Sequence, residues 1–129
     1  MPAQIPELTE AEVVRIIHAH IEGLFPKTCT RCGQTFANYR EYLQNTTPVG
    51  FPVSYDLEAG DARPSESMGN FSMSNCRCGN TLALSSQGMP MKQLWAVLKW
   101  IEKETERRGV PMHQILGHLR DEVSKRGLA

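Results

Sequence analysis

The chain predicts an α+β domain in which a short antiparallel sheet carries a four-cysteine metal site and is packed by an N-terminal helix and a C-terminal helical hairpin. Three observations point there: apolar residues at helical spacing over residues 9–24, the same spacing twice over residues 90–126, and two cysteine pairs between them beside short strand-like segments. Its 129 residues, 40% hydrophobic and 22% charged, suit one soluble domain spanning residues 1–129 and leave no room for a second.

The first helix opens at Thr9, with Glu12 three residues on in the reciprocal capping-box arrangement that satisfies two orphan backbone donors. Leu8 and Val13 stand at the positions of a hydrophobic staple. Val13, Ile16, Ile17, Ile21 and Leu24 form the apolar face, and Gly23 with Phe25-Pro26 ends the helix. A shorter helix is expected from Asn38, with Glu41 at its third position and Tyr42-Leu43 as its apolar content, ending before Pro48. Residues 45–69 are rich in proline and glycine. Within them Phe51, Val53, Tyr55 and Leu57 alternate with polar residues or proline and suggest an edge strand, followed by an exposed loop from Asp56 to Met68.

From Asn70 the pattern becomes Phe71, Met73, the second cysteine pair and Thr81-Leu82-Ala83-Leu84. This reads as two short strands joined by a tight turn over Cys76 to Asn80, with the cysteines at the tip. Pro90 then suits a first helical position. Met91, Leu94, Trp95, Leu98 and Ile101 form a stripe that Val97 and Trp100 widen, and Gly109 closes the helix. A second helix carries Met112, Ile115, Leu116, Leu119 and Val123 and stops at Gly127. The short Val110-Pro111 connection implies a helical hairpin.

Fourteen Lys and Arg balance fourteen Asp and Glu, which removes the overall basic balance of a dedicated nucleic-acid binder. No run approaches the ~18 apolar residues of a membrane helix, and residues 1–10 have neither a basic nor an apolar leader region. A cytoplasmic location and no membrane role are therefore expected. In that compartment four cysteines are poor candidates for structural disulfides, so metal or redox chemistry is the default.

Cys29-Thr30-Arg31-Cys32-Gly33 and Cys76-Arg77-Cys78-Gly79 use every cysteine in the chain. Two local pairs supply the count for a tetrahedral S4 site, and Cys29, Cys32, Cys76 and Cys78 are the candidate ligands of Zn²⁺, with iron, thiol redox chemistry and inert cysteines as alternatives. The second pair is one residue tighter than the usual spacing. A glycine directly after each pair permits positive φ, which lets backbone amides turn toward the sulfurs. Four thiolates with Zn²⁺ carry a formal charge of minus two, which Lys27, Arg31 and Arg77 are placed to offset. With 43 residues between Cys32 and Cys76, residues 25–85 are expected to depend on the ion for their fold. Four cysteines fill a zinc shell and leave no position for a catalytic water, so the expected site is structural and the protein no enzyme. Gly33 and Gly79 stand where covalent haem attachment needs histidine, and no βαβ pattern accompanies the pairs as a thioredoxin-like activity requires.

Over residues 27–85 these Cys-Gly turns resemble the knuckles of zinc-ribbon and rubredoxin-type domains, where two such turns, one on a β-hairpin, clamp a metal. The phrases Asn75-Cys76-Arg77-Cys78-Gly79-Asn80-Thr81-Leu82 and Gly88-Met89-Pro90 ahead of a Trp-containing helix are similar to small bacterial zinc-ribbon-like modules associated with sensory signalling. That resemblance implies a regulatory or protein-interaction module, with a protein partner expected, rather than an enzyme.

The other polar residues carry weaker signals. His18 and His20 lie two apart and cannot face one ion together, and His113 and His118 lie five apart, so the histidines are expected at the surface or its boundary. Trp95 and Trp100 are expected in the core. Lys103, Arg107, Arg108, Lys125 and Arg126 help make residues 91–129 net positive, eight basic against five acidic residues, a solvated face that would also serve a nucleic-acid-binding alternative. Asp56, Glu58 and Asp61 lack the spacing of a calcium loop and read as solubilising.

Overall fold

In a computed structural model, residues 8–48, 70–86 and 88–129 are described. The expected edge strand over 51–57, the loop over 56–68 and its three acidic residues lie outside them. Helix α1 spans Glu10–Glu22, with Thr9 at its N-cap and both bonds of the capping box in place. Val13, Ile17 and Ile21 are buried on one face, and Leu8 packs against the same core cluster.

The chain then forms a two-stranded antiparallel ribbon, β1 (Lys27–Thr28) with β2 (Thr35–Phe36), in the register Lys27 to Phe36 and Thr28 to Thr35. Helix α2 (Tyr39–Asn45) follows under an Asn38 cap, whose side-chain oxygen accepts from the Glu41 amide at 2.9 Å. Strands β3 (Thr47–Pro48), β4 (Asn70–Asn75) and β5 (Thr81–Ser85) form an antiparallel sheet in that order. The β4–β5 hairpin with Cys76 to Asn80 at its tip is as the sequence implies. The ribbon and β3 are additions, each only two residues long and without an alternating pattern to announce it. Pro48 fits there because β3 is an edge strand in which one N–H is dispensable.

Helices α3 (Met91–Arg108) and α4 (Met112–Leu128) form the hairpin, separated by Gly109 in the left-handed conformation at φ 64°. Pro90 sits at the N-cap of α3 rather than at its first helical position: its ψ of 138° is extended, while its carbonyl accepts the first helical bond from Leu94. On α3 the buried residues are Leu94, Ala96, Val97, Leu98, Trp100, Ile101 and Glu104. At about 100° per residue these fill an arc centred near Val97, and Trp95 points roughly opposite to that centre. Trp95 (43% exposed) and Met91 (48%) therefore face solvent, which corrects the expectation that both tryptophans fill the core; only Trp100 does. The α4 stripe is buried as expected at Ile115, Leu116, Leu119 and Val123.

The core cluster joins these helices to Phe36, Tyr39, Tyr42, Leu82 and Leu84. Tyr42 lies at its centre, edge-on to Phe25 and Phe36 and stacked with Tyr39, and its hydroxyl donates to the Leu82 carbonyl. Tyr39 reaches the Ser124 hydroxyl on α4, and burial raises its phenol above the ordinary value. Gly127 does not end α4, which continues to Leu128; it leaves room for a ring instead. A Cβ at Gly127 would come within 2.6 Å of Tyr39 Cδ2 and 3.1 Å of Leu43 Cδ1. This contact, between residues 88 positions apart, couples the cysteine-bearing half of the chain to the helical half.

Candidate metal centre

The two cysteine turns use the same closing bonds at different lengths. In the first, the Cys29 amide donates to Gln34 O at 2.8 Å and the Gly33 amide to Cys29 O at 2.9 Å. In the second, the Cys76 amide donates to Asn80 O at 2.8 Å and the Gly79 amide to Cys76 O at 2.8 Å. The glycine amide thus reaches back four residues in one turn and three in the other. The missing residue of the second pair is absorbed inside the loop while the frame around it is kept. Both glycines adopt positive φ, 80° at Gly33 and 91° at Gly79, and a Cβ at either would meet nothing within 4 Å. Backbone conformation, not space, selects glycine there.

These turns bring all four sulfurs together. Cys29 Sγ lies 3.6 Å from Cys78 Sγ, Cys32 Sγ lies 3.6 Å from Cys76 Sγ, and the four atoms are all within 4.8 Å of one another. A regular tetrahedron of thiolates about 2.3 Å from a central ion has edges of about 3.8 Å. Each Sγ separation of 3.6 Å is far too long for a disulfide, which needs about 2.05 Å, and close to that edge. The four cysteines can hold a metal ion. Among the described residues no histidine or carboxylate joins them.

The charge on the sulfurs would favour a cation there. The backbone amide of Cys32, then the Asn80 side chain, which donates to Cys29 Sγ at 3.4 Å, pull the Cys29 thiol down to about 6. At Cys32 the Gln34 amide also lowers the thiol, but the Cys76 sulfur, burial and the sulfurs of Cys29 and Cys78 outweigh it and push the group up to about 11. Four sulfurs this close cannot all carry negative charge by themselves, and a divalent cation removes that conflict by favouring the thiolate at every position. Burial is uneven: Cys29 and Cys76 are buried, Cys78 is half-buried, and Cys32 is exposed. Cys32 and Cys78 line an open hollow with Gly33, Gln34 and Arg77, so Arg77, one of the expected cations, stands beside the outer sulfurs.

Two polar neighbours of the sulfurs go beyond the sequence reading. Asn80 Nδ2 donates to Cys29 Sγ, and the Gln34 side-chain oxygen lies 3.6 Å from Cys76 Sγ as an acceptor for its thiol, so each turn reaches a sulfur of the other turn. The signal for both was present as a carboxamide residue directly after each Cys-Gly.

The histidines stand apart, as expected. His18 bonds Glu22 on its own helix, His20 Nε2 donates to the Ser85 carbonyl at 2.9 Å, and His118 meets Glu10 at 3.0 Å. Much of the basic charge on α3 and α4 is engaged within the molecule. Arg107 and Arg108 both bond Glu104, Arg108 also reaches Glu10, Lys125 pairs with Glu122, and Arg126 Nε donates to His18. Glu104, with a side chain 8% exposed, is held below the ordinary carboxylate range first by its hydrogen bond from Arg107. No described helix is long and apolar enough to cross a membrane. No protein-family model, curated protein or solved structure matches the chain, so geometry and chemistry carry the functional argument.

Proposed function

We propose that this protein is a non-enzymatic zinc-binding module in which Cys29, Cys32, Cys76 and Cys78 hold one structural Zn²⁺. The observation that carries this reading is the convergence of all four sulfurs to within 4.8 Å, at separations suited to a tetrahedral thiolate shell. Zinc is favoured over iron because a structural role asks only for a closed shell, without an electron-transfer function. With four protein ligands the ion has no position for water, which supports structural work rather than catalysis. The zinc-ribbon resemblance of the two Cys-Gly turns supports the same assignment, although the second turn is one residue shorter.

The ion's work is to fix two turns that separate strands of only two to six residues could not hold. The rigid surface so formed suits a regulatory module that contacts a protein partner, in line with the resemblance to bacterial signalling modules. Exposed Trp95 and Met91, one helical turn apart on α3, support a protein rather than a nucleic acid as that partner, since aromatic and methionine side chains are enriched at protein interfaces.

Elemental analysis of purified protein tests the metal reading, with one equivalent of zinc expected and a metal-free, folded protein contradicting it. Affinity capture on zinc-loaded protein tests the partner: a discrete protein lost on chelation is expected, and nothing above background contradicts an interaction role.

A further inference from the structure

We propose that the four-cysteine centre is also a thiol switch that gives up two electrons at each of two disulfides, which run between the two turns, Cys29 to Cys78 and Cys32 to Cys76, with Cys32 the first sulfur to react. The proposal rests on the zinc reading above and adds which sulfurs pair and in what order.

Each turn contributes one sheltered and one outward sulfur. Cys29 (0% exposed) and Cys76 (3%) lie inside, while Cys32 is exposed and Cys78 half-buried. Both 3.6 Å pairs join an inside sulfur of one turn to the outward sulfur of the other. Closing either pair to a disulfide requires a movement of only about 1.5 Å. Cys32 lines the open hollow, with Arg77 beside it to attract an anionic or polarised reagent. Access therefore selects Cys32, and proximity selects Cys76 as the sulfur that resolves it.

With hydrogen peroxide as oxidant the chemistry balances. The Cys32 thiolate attacks one peroxide oxygen and breaks the O–O bond; the sulfur is oxidised to sulfenic acid, and the departing hydroxide takes a proton to become water. Cys76 Sγ then attacks Cys32 Sγ, forming the S–S bond and expelling the hydroxyl, which leaves with a proton as a second water. A second peroxide oxidises Cys78 and Cys29 in the same way. Four thiolates, two peroxides and four protons thus give two disulfides and four waters, and Zn²⁺, left without thiolate ligands, departs.

These linkages have a structural consequence. They connect residues 49 and 44 positions apart, the same separations that the ion bridges. Oxidised, zinc-free protein therefore keeps its two turns joined, whereas reduced, zinc-free protein does not.

Titrating zinc-loaded protein with hydrogen peroxide tests the proposal, with released zinc followed by a chromogenic chelator and unreduced digests mapped by mass spectrometry. The expected result is two peroxides consumed per zinc released, Cys29–Cys78 and Cys32–Cys76 linked peptides, and Cys32 alkylated first by limiting iodoacetamide. Linkage of Cys29 to Cys32 or of Cys76 to Cys78, first alkylation at any other cysteine, or zinc retained under excess peroxide overturns it. Protein purified without zinc would instead defeat the metal reading, and the linkages could still be mapped on its four thiols, so the two failures are distinct.

Discussion

The helices and the cysteine turns are held by different forces. In α1, α3 and α4, at least three buried apolar residues per helix pack against one another, and order follows from area removed from water. The segments around the cysteines offer strands of two to six residues and few large side chains, with Phe36, Tyr39 and Tyr42 as their main anchors. One core cluster spans both regions, but among the described residues only the turns bring together side chains that can hold an ion.

Chelation should separate the two most strongly. Structural zinc contributes roughly 10–16 kcal/mol of apparent binding free energy, so removing it under reducing conditions should abolish hydrogen-exchange protection in β1, β2 and the tip of the β4–β5 hairpin. The amides of α3 and α4 should retain much of theirs; uniform loss across the molecule would show that the helices also depend on the ion.

Next in size is a contrast within one helix. Trp100→Ala should cost about 3–5 kcal/mol in a denaturant melt because it opens a cavity in the core. Trp95→Ala, at a position 43% exposed, should cost about 1 kcal/mol or less. Equal costs would contradict the assigned face of α3.

Gly127→Ala probes the seam between the regions. The new Cβ would drive into the Tyr39 ring, and overpacking of that kind costs about 1–3 kcal/mol. Relief of the defect in a Tyr39→Leu background would tie it to that contact. Asn80→Leu probes the turns themselves: losing its bond to Cys29 Sγ should weaken zinc affinity by about 10 to 100-fold in competition with a chelator, leaving helical circular dichroism unchanged.

The smallest effect belongs to Glu104. Its carboxyl is held low first by Arg107, so the stabilisation is present above the unfolded carboxylate value of about 4.3 and is lost as pH falls through the lower folded value. Glu104→Gln should reduce stability at neutral pH by about 1 kcal/mol or less, given that Arg107 is mostly solvated, and flatten the decline below pH 4.3. An unchanged acid limb would remove Glu104 from the account.

The fold was legible where periodicity was long. The capping box at Thr9 and Glu12, the hairpin around Cys76 to Asn80 and the stripe on α4 all follow from spacing that local chemistry enforces. The side taken by Trp95 is not legible in the sequence, because an apolar stripe wider than half a helix does not define which edge meets the core; only the neighbours of α3 decide that. In sequence Gly127 resembles a helix stop, because its reason for being glycine lies 88 residues away, in Tyr39. The four sulfurs were legible as a count and two spacings. Their cross-turn pairing was not, because it depends on how two separate turns face each other.

X-ray absorption at the zinc edge on protein as purified tests the central claim most directly. Four sulfur neighbours at about 2.3 Å are the expected result. A shell containing nitrogen or oxygen, or no zinc at all, would contradict the convergence of Cys29, Cys32, Cys76 and Cys78 on one ion.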